Sequence, residues 1–276
     1  ELGKADANQI GVAVMDASGK LYTKGDTKTK FTMQSISKVI ALMVAVNERG
    51  EEYIFERVGS YGTDTPFNSF ARLESDSKPL NPMMNAGAIL TTTMIEGAGD
   101  LPYQKIVQMV RYITKNESID YSHSVFLSEK ETGHRNRGMF YILKNAGLIE
   151  AEDESGLDNY FRHCSIEVDA EDLAKIAYFF AHGCTRFDGD KTYYNTKVSK
   201  LINSMILTAG MYDYSGEYSR KVGMPSKSGV GGGIMAVSPG KLGIGTFNPS
   251  LDSHGNSAPG VFMLEELNKE FDLSIF

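Results

Sequence analysis

The chain has 276 residues, of which 41% are hydrophobic, and this length can bury a substantial core in one large domain or two closely packed ones. A formal net charge of -7 gives no attraction for phosphate backbones or anionic lipids, which disfavours nucleic acid and membranes as partners. The longest strictly apolar run, residues 39–46, is far shorter than the roughly 20 residues that span a bilayer. We therefore expect a soluble protein that binds a small molecule.

Both ends of the chain have the pattern of a β-hairpin. Residues 10–15 and 21–23 are predicted strands joined by an Asp-Ala-Ser-Gly turn. Near the other end, residues 233–237 and 242–247 are predicted strands on either side of a Ser-Pro-Gly-Lys turn. The two ends are thus predicted to supply the strands of a sheet.

Helical patterns fill the region between the hairpins. The predicted helices are residues 38–48, 85–95, 105–114, 137–145, 170–182 and 198–209. Glycines 50, 147, 183 and 210 follow four of them, at positions where a left-handed C-cap favours glycine.

This order of elements predicts an α+β fold in a single unit, residues 1–276. Its antiparallel sheet, built from both chain ends, packs against a central helical region. We assign residues 1–30 and 220–276 to a sheet subdomain, and residues 31–219 to a helical subdomain. A cleft between them is the expected pocket.

The cysteines and histidines do not indicate a metal centre. Cys164 and Cys184 are too few for a disulfide framework, so we expect reduced thiols and a cytoplasmic location. His182 and Cys184 are two possible metal ligands, but no further cluster completes a ligand set. We predict neither a metal nor another cofactor.

A Ser-x-x-Lys sequence occurs twice, at residues 35–38 and 75–78. The second copy lies among charged residues and is followed by proline, so we predict a solvated loop there. The first copy begins the predicted helix 38–48, and a separation of three residues places Ser35 and Lys38 on one helical face.

This position suits Ser35 for nucleophilic catalysis. A helix N-terminus and burial both lower the pKa of a nearby lysine, so a neutral Lys38 can accept the Ser35 proton. The alternative is that Ser35 or Ser37 simply caps the helix.

A second motif, Lys227-Ser228-Gly229, lies where the chain enters its predicted penultimate strand. An early Ser-x-x-Lys with a late Lys-Ser-Gly is the pairing of class A β-lactamases and penicillin-binding proteins. The glycine-rich run 229–233 offers unobstructed backbone N–H groups, which can form an oxyanion hole together with the N–H of Ser35. A plain glycine-rich strand edge is the alternative.

Longer blocks of sequence closely resemble the signature segments of bacterial serine-dependent glutaminases. These blocks, spread over nearly the whole chain, are residues 31–38, 81–88, 160–166, 210–213 and 225–234. The resemblance implies a β-lactamase-like fold and hydrolysis of L-glutamine to L-glutamate and ammonia through a serine acyl-enzyme. It also implies assembly into a homodimer or homotetramer.

The resemblance further implies roles for individual residues. Ser35 is the nucleophile, Lys38 is its partner and Tyr212 is a second proton-handling group. The backbone N–H groups of Ser35 and Val230 hold the oxyanion. The implied substrate contacts are Ser35, Asn85, Glu129, Asn136, Tyr160, Tyr212 and Val230.

Glu129 also has a chemical rationale, because an α-ammonium group entering a desolvating pocket needs a carboxylate partner. From composition alone, Glu129 would be a surface acid in a charged run, and Tyr212 would be a core aromatic. Glutaminases usually carry a Tyr-Ile-Pro segment before the position of Glu1. We therefore expect a preceding segment that helps to line the substrate site.

Two other functions have to be weighed against glutamine hydrolysis. The first is a β-lactam-interacting hydrolase or carboxypeptidase, which is disfavoured because Ser-Asp-Asn occurs nowhere in the chain. The second is a non-catalytic amino-acid sensor. A binder needs no nucleophile, so the combination of Ser35, Lys38 and Tyr212 argues against it.

Overall fold

A computed structural model describes residues 2–63, 78–150 and 154–276, and its central feature is an antiparallel sheet with strand order β2-β1-β7-β6-β5. The strands are β1 (Gly11–Met15), β2 (Leu21–Gly25), β5 (Ser226–Ser228), β6 (Gly233–Ser238) and β7 (Leu242–Phe247). Strand β1 pairs with β7, so that Gly11 lies opposite Phe247. The predicted α+β class, with a sheet from both chain ends, is confirmed.

The helices come from the middle and the end of the chain. They are α1 (Ser37–Arg49), α2 (Glu51–Arg57), α3 (Asn85–Thr93), α4 (Leu101–Thr114), α5 (His123–Thr132), α6 (His134–Asn145), α7 (Ser155–Cys164), α8 (Ala170–Ala181), α9 (Thr196–Ala209), α10 (Ser215–Lys221) and α11 (Ala258–Phe271). A short pair of strands, β3 (Phe31–Thr32) and β4 (Glu167–Val168), lies apart from the main sheet. The predicted division into two subdomains stays a prediction.

Helix α8 packs directly on the sheet because β7 carries glycine on the facing side. A Cβ on Gly243 would lie 2.1 Å from the backbone nitrogen of Tyr178, and one on Gly245 would lie 2.1 Å from the carbonyl oxygen of Ala170. The helix begins with a capping box in which Asp169 and Asp172 each accept the other's backbone N–H. The alternating glycines of β7 thus allow the close approach of α8 to the sheet.

Helix α1 forms the centre of the helical region. Its residues from Ser37 to Val46 are buried, and the helix contacts α3, α4 and α9. This surrounding protein explains why the sequence is apolar on every face of the helix. The turn before α1 is therefore anchored on a fully packed element.

Some sequence predictions need correction. Five helices were not predicted, namely α2, α5, α7, α10 and α11. In α5 only Val125 and Phe126 are buried, so the sequence has no repeating apolar face there. Gly210 was predicted to be a left-handed C-cap, but its φ is -79°. Glycine is required there because a Cβ would lie 1.8 Å from the Ser226 carbonyl oxygen.

The Lys-Ser-Gly motif was also misplaced. Lys227 and Ser228 do not begin the penultimate strand but belong to β5, a separate edge strand paired with β6. The predicted loop at Ser75 lies outside the described residues. Among the helices of the described ranges, none has both the length and the hydrophobicity to cross a membrane.

Candidate active site

Ser35 lies in a 3₁₀ turn, Gln34–Ile36, directly before α1. Gln34 has a φ of 48°, a left-handed conformation that is strained for a residue other than glycine. The residue that precedes α1 is Ile36, and no side chain caps this end of the helix. The hydroxyl of Ser37 instead donates to the carbonyl oxygen of Gln34, at 2.7 Å. The interpretation of Ser35 or Ser37 as a helix cap is therefore wrong.

The Lys38 amine is buried and makes two well-defined hydrogen bonds. Its Nζ donates to the carbonyl oxygen of Met83 at 3.0 Å and to Oδ1 of Asn85 at 2.7 Å. Burial lowers the pKa of Lys38 to about 8. A neutral amine has two N–H groups and one lone pair. Since the two acceptors use both N–H groups, the lone pair stays available to take a proton.

Tyr212 is buried and also has a left-handed backbone, with a φ of 57°. Its hydroxyl donates to the carbonyl oxygen of Ser228 at 3.3 Å and is hydrogen-bonded to the side chain of Ser35. Burial raises the pKa of Tyr212 to about 12, although the bond with Ser35 acts in the opposite direction. The phenol is therefore neutral at ordinary pH, and it can accept a hydrogen bond from Ser35 and donate its own proton.

The glycine-rich run 229–233 lies against the backbone beside the serine turn. A Cβ on Gly229 would lie 2.5 Å from the carbonyl oxygen of Met33, and one on Gly231 would lie 2.4 Å from that of Thr32. Glycine is thus needed here for close backbone contact. The same contact holds Val230 at the wall of the cavity that Ser35 faces.

That cavity has a volume of about 450 Å³ and brings most of the predicted site residues together. Its lining includes Gln34, Ser35, Asn85, Glu129, Asn136, Tyr160, Cys164 and Val230. Lys38 and Tyr212 do not line it, and they lie buried behind its wall. Clefts of about 460 and 480 Å³ elsewhere contain none of the predicted site residues.

The far wall of the cavity is polar. Nδ2 of Asn85 donates to Oδ1 of Asn136 at 3.0 Å, so the amide that holds Lys38 also reaches the substrate pocket. Glu129 is half-buried, and burial raises the pKa of its carboxyl against the opposing effect of a hydrogen bond from Gln34. The composition-based interpretation of Glu129 as a surface acid is wrong. Tyr160 is buried, and this burial raises its pKa well above 10.

Sequence reasoning gave no site role to Gln34 or Cys164, and it named Lys227 only as part of the Lys-Ser-Gly motif. Gln34 and Cys164 line the cavity, and Lys227 is buried with its Nζ 4.4 Å from the centre of the Tyr212 ring. Burial raises the pKa of Cys164 to about 12, so its thiol stays neutral. For Gln34, the available signal was its position immediately before Ser35. Within the described ranges, no group of three or more His, Cys, Asp or Glu side chains is placed to hold a metal.

Comparison with known proteins gives consistent results. The family model described as Glutaminase matches residues 1–276. A glutaminase of Alkaliphilus metalliredigens is 46% identical over 279 residues, which cover 100% of this chain and 92% of that protein. A Bacillus glutaminase crystallised in 4.3 M NaCl superposes with a TM-score of 0.93 at 38% identity, covering 99% of this chain and 94% of the other.

A second solved structure contains a trapped ligand. It is a Bacillus subtilis glutaminase in covalent complex with 5-oxo-L-norleucine, formed by reaction with 6-diazo-5-oxo-L-norleucine. It superposes with a TM-score of 0.89 at 35% identity and covers 98% of this chain and 90% of the other. These likenesses confirm the predicted β-lactamase-like fold.

Proposed function

The chain belongs to the glutaminase family, hydrolases that convert L-glutamine to L-glutamate and ammonia, and we propose that here the reaction passes through an acyl-enzyme on Ser35. The observation that carries this assignment is the hydrogen bond between Ser35, which lines the cavity, and the buried Tyr212. Lys38, in the first turn of α1 and three residues after Ser35, completes a nucleophile with two proton-handling neighbours.

Acylation begins when the hydroxyl oxygen of Ser35 attacks the side-chain amide carbon of glutamine. Lys38 takes the serine proton, because its amine is partly neutral near pH 8 and has its lone pair free. Tyr212, neutral because its pKa is near 12, gives its proton to the departing ammonia. The C–N bond breaks as the ester to Ser35 forms, and Lys38 returns a proton to Tyr212.

Deacylation repeats these transfers with water in place of serine. Water attacks the γ-glutamyl ester while a basic neighbour removes its proton. That proton passes to the Ser35 oxygen as the C–O bond breaks, which releases glutamate and restores the serine hydroxyl. Both tetrahedral intermediates carry an oxyanion that the N–H groups of Ser35 and Val230 stabilise. The tight contact of Gly229 and Gly231 with the chain before Ser35 supports this geometry.

The substrate is held through its α-amino-acid end. We assign the α-ammonium to Glu129, whose half-buried carboxylate faces the cavity. Asn85, Asn136 and Tyr160 supply amide and phenol donors for the α-carboxylate. A pocket with both partners selects a free amino acid, because a peptide lacks one or both charges.

Glu129→Gln will raise KM for glutamine sharply, because the ammonium loses its anionic partner while the side-chain shape is kept. Loss of one member of a buried charge pair costs on the order of 2 to 5 kcal/mol, which corresponds to roughly a 30- to 4,000-fold rise in KM. Initial rates over a wide range of glutamine concentration measure it. Glu131→Gln, in the same helix but outside the cavity lining, is the matched control. An unchanged KM in Glu129→Gln would refute the ammonium role.

The pH dependence of kcat/KM will report the ionisation of Lys38. The neutral amine is the active form and burial lowers its pKa to about 8, so activity will rise with pH below that value and level off above it. Lys38→Arg, which keeps a charge that cannot be removed, will be inactive throughout. A kcat/KM that does not change between about pH 6 and 9 excludes Lys38 as the base.

A direct assay separates glutamine hydrolysis from the other functions considered. We expect equal amounts of glutamate and ammonia from glutamine, and no cleavage of nitrocefin. Rapid nitrocefin hydrolysis would favour the β-lactam alternative, and binding of glutamine without turnover would favour the sensor. The predicted homodimer or homotetramer and the predicted cytoplasmic location stay predictions.

A further inference from the structure

The loop between β7 and α11, residues 248–257, covers the catalytic tyrosine from the outside. A Cβ on Gly255 would lie 3.6 Å from the ring of Tyr212 and 3.7 Å from the side chain of Val230. The loop is internally fixed, because Oδ1 of Asp252 accepts from the backbone nitrogens of His254 and Asn256 at 2.8 and 2.9 Å. It is therefore a fixed segment that packs against Tyr212 and Val230.

The side chain of Asn256 points inward from this loop and is fully buried. Its Oδ1 accepts from the hydroxyl of Ser228 at 2.5 Å, and its Nδ2 donates to the carbonyl oxygen of Met211 at 3.5 Å. Both partners adjoin the catalytic tyrosine. Met211 precedes Tyr212 in the chain, and the carbonyl oxygen of Ser228 receives the hydrogen bond of the Tyr212 hydroxyl.

Tyr212 needs such support because its backbone is strained. A left-handed conformation in a bulky residue persists only where the surrounding structure fixes it. Ser215 holds the turn from one side, because its hydroxyl accepts from the Met211 nitrogen at 3.0 Å and donates to the Tyr212 carbonyl oxygen at 2.7 Å. The Asn256 side chain joins this turn to β5 from the loop side, in addition to the bonds that the Ser228 backbone nitrogen and the Lys227 amine donate to the carbonyl oxygen of Gly210.

We propose that Asn256 is a positioning residue for catalysis, which holds the Tyr212 hydroxyl against Ser35 by joining Met211 to Ser228. This inference rests on the proton-transfer role proposed for Tyr212. Asn256 does not line the substrate cavity, so its loss affects turnover and leaves the KM for glutamine nearly unchanged. Small misplacements of a catalytic group can cost about 10²-fold in rate, and this is the expected fall in kcat for Asn256→Ala.

A double-mutant cycle with Tyr212→Phe tests the proposal. If Asn256 acts through the Tyr212 hydroxyl, Asn256→Ala will lower kcat about 10²-fold in the parent and will cause no further loss in Tyr212→Phe. Equal losses in the two backgrounds, or near-parental turnover of Asn256→Ala, would overturn it. If Tyr212→Phe itself keeps parental turnover, the proton role of Tyr212 fails first and the inference fails with it.

Two further variants guard against a purely structural effect. Ser228→Ala removes the donor of the 2.5 Å hydrogen bond to Asn256, and we expect the same pattern of kcat losses from it. It replaces Asn256→Ala in the cycle if that variant does not fold. Asn248→Ala is the matched control, because Asn248 is a buried asparagine in the same loop. Its Nδ2 donates to the carbonyl oxygens of Ala7 and Gln9 rather than to the Tyr212 turn. Its effect on kcat will be equal in both backgrounds. Coupling as strong for Asn248 as for Asn256 would contradict the positioning role.

Discussion

Ser35→Ala will lose almost all turnover of glutamine. Removal of a serine nucleophile costs roughly 10⁶-fold in kcat, because the acyl-enzyme route is no longer available. The fold will persist, since the turn before α1 is held by backbone contacts and by Ser37 rather than by the Ser35 hydroxyl. Ammonia release, measured beside the thermal midpoint of the purified variant, tests both parts of the expectation. Substantial turnover in a folded Ser35→Ala variant would remove Ser35 as the nucleophile.

A covalent label will identify the same atom independently. Treatment with 6-diazo-5-oxo-L-norleucine, a reactive glutamine mimic, should add one adduct, located by peptide mapping to Ser35. Ser75→Ala is the matched control, because Ser75 begins the second Ser-x-x-Lys sequence and its loss should leave labelling intact. A label found on Ser75 would contradict the assignment.

Tyr212→Phe will lower kcat by about 10²- to 10⁴-fold, the usual contribution of a general acid or base. The substitution removes one oxygen and keeps the ring, whose packing beside Gly255 and Lys227 survives. Stability should therefore change little, and kcat measured together with the melting curve separates chemistry from structure.

The matched control is Tyr218→Phe, at another fully buried tyrosine whose hydroxyl bonds Ser226 rather than Ser35. Its kcat should stay near that of the parent. If Tyr212→Phe turns over normally, Tyr212 leaves the catalytic list. If it instead melts far below the parent, its role is structural.

Local geometry made one part of the site predictable. The apolar run that follows Lys38 predicts the buried helix that α1 forms, although Ser35 itself lies in the 3₁₀ turn before this helix. The hairpins were also predictable, because alternating apolar residues and turn residues located β1, β6 and β7 to within one residue at each end. These features depend on neighbours in the chain.

The remainder depends on contacts that no local pattern contains. Asn85, Glu129, Asn136 and Tyr160 come from different helices, and only the family resemblance brought them together. Strand β5 was missed because Ser-Lys-Ser has no apolar alternation although all three residues are buried. The left-handed backbone of Tyr212 had no signal, because tyrosine rarely adopts that conformation and tertiary contacts impose it.

The pairing of β1 with β7 has a consequence for the folding of the chain during its synthesis on the ribosome. Strand β1, Gly11–Met15, lacks its partner β7 until Leu242–Phe247 has been synthesised. Contacts between residues so distant in sequence slow folding. An unpaired strand edge can meanwhile pair with another chain. A nascent chain arrested before residue 242 would carry Ser35, Lys38 and Tyr212 yet lack the loop that holds the tyrosine. We therefore expect catalytic competence only after residues 248–257 have been synthesised.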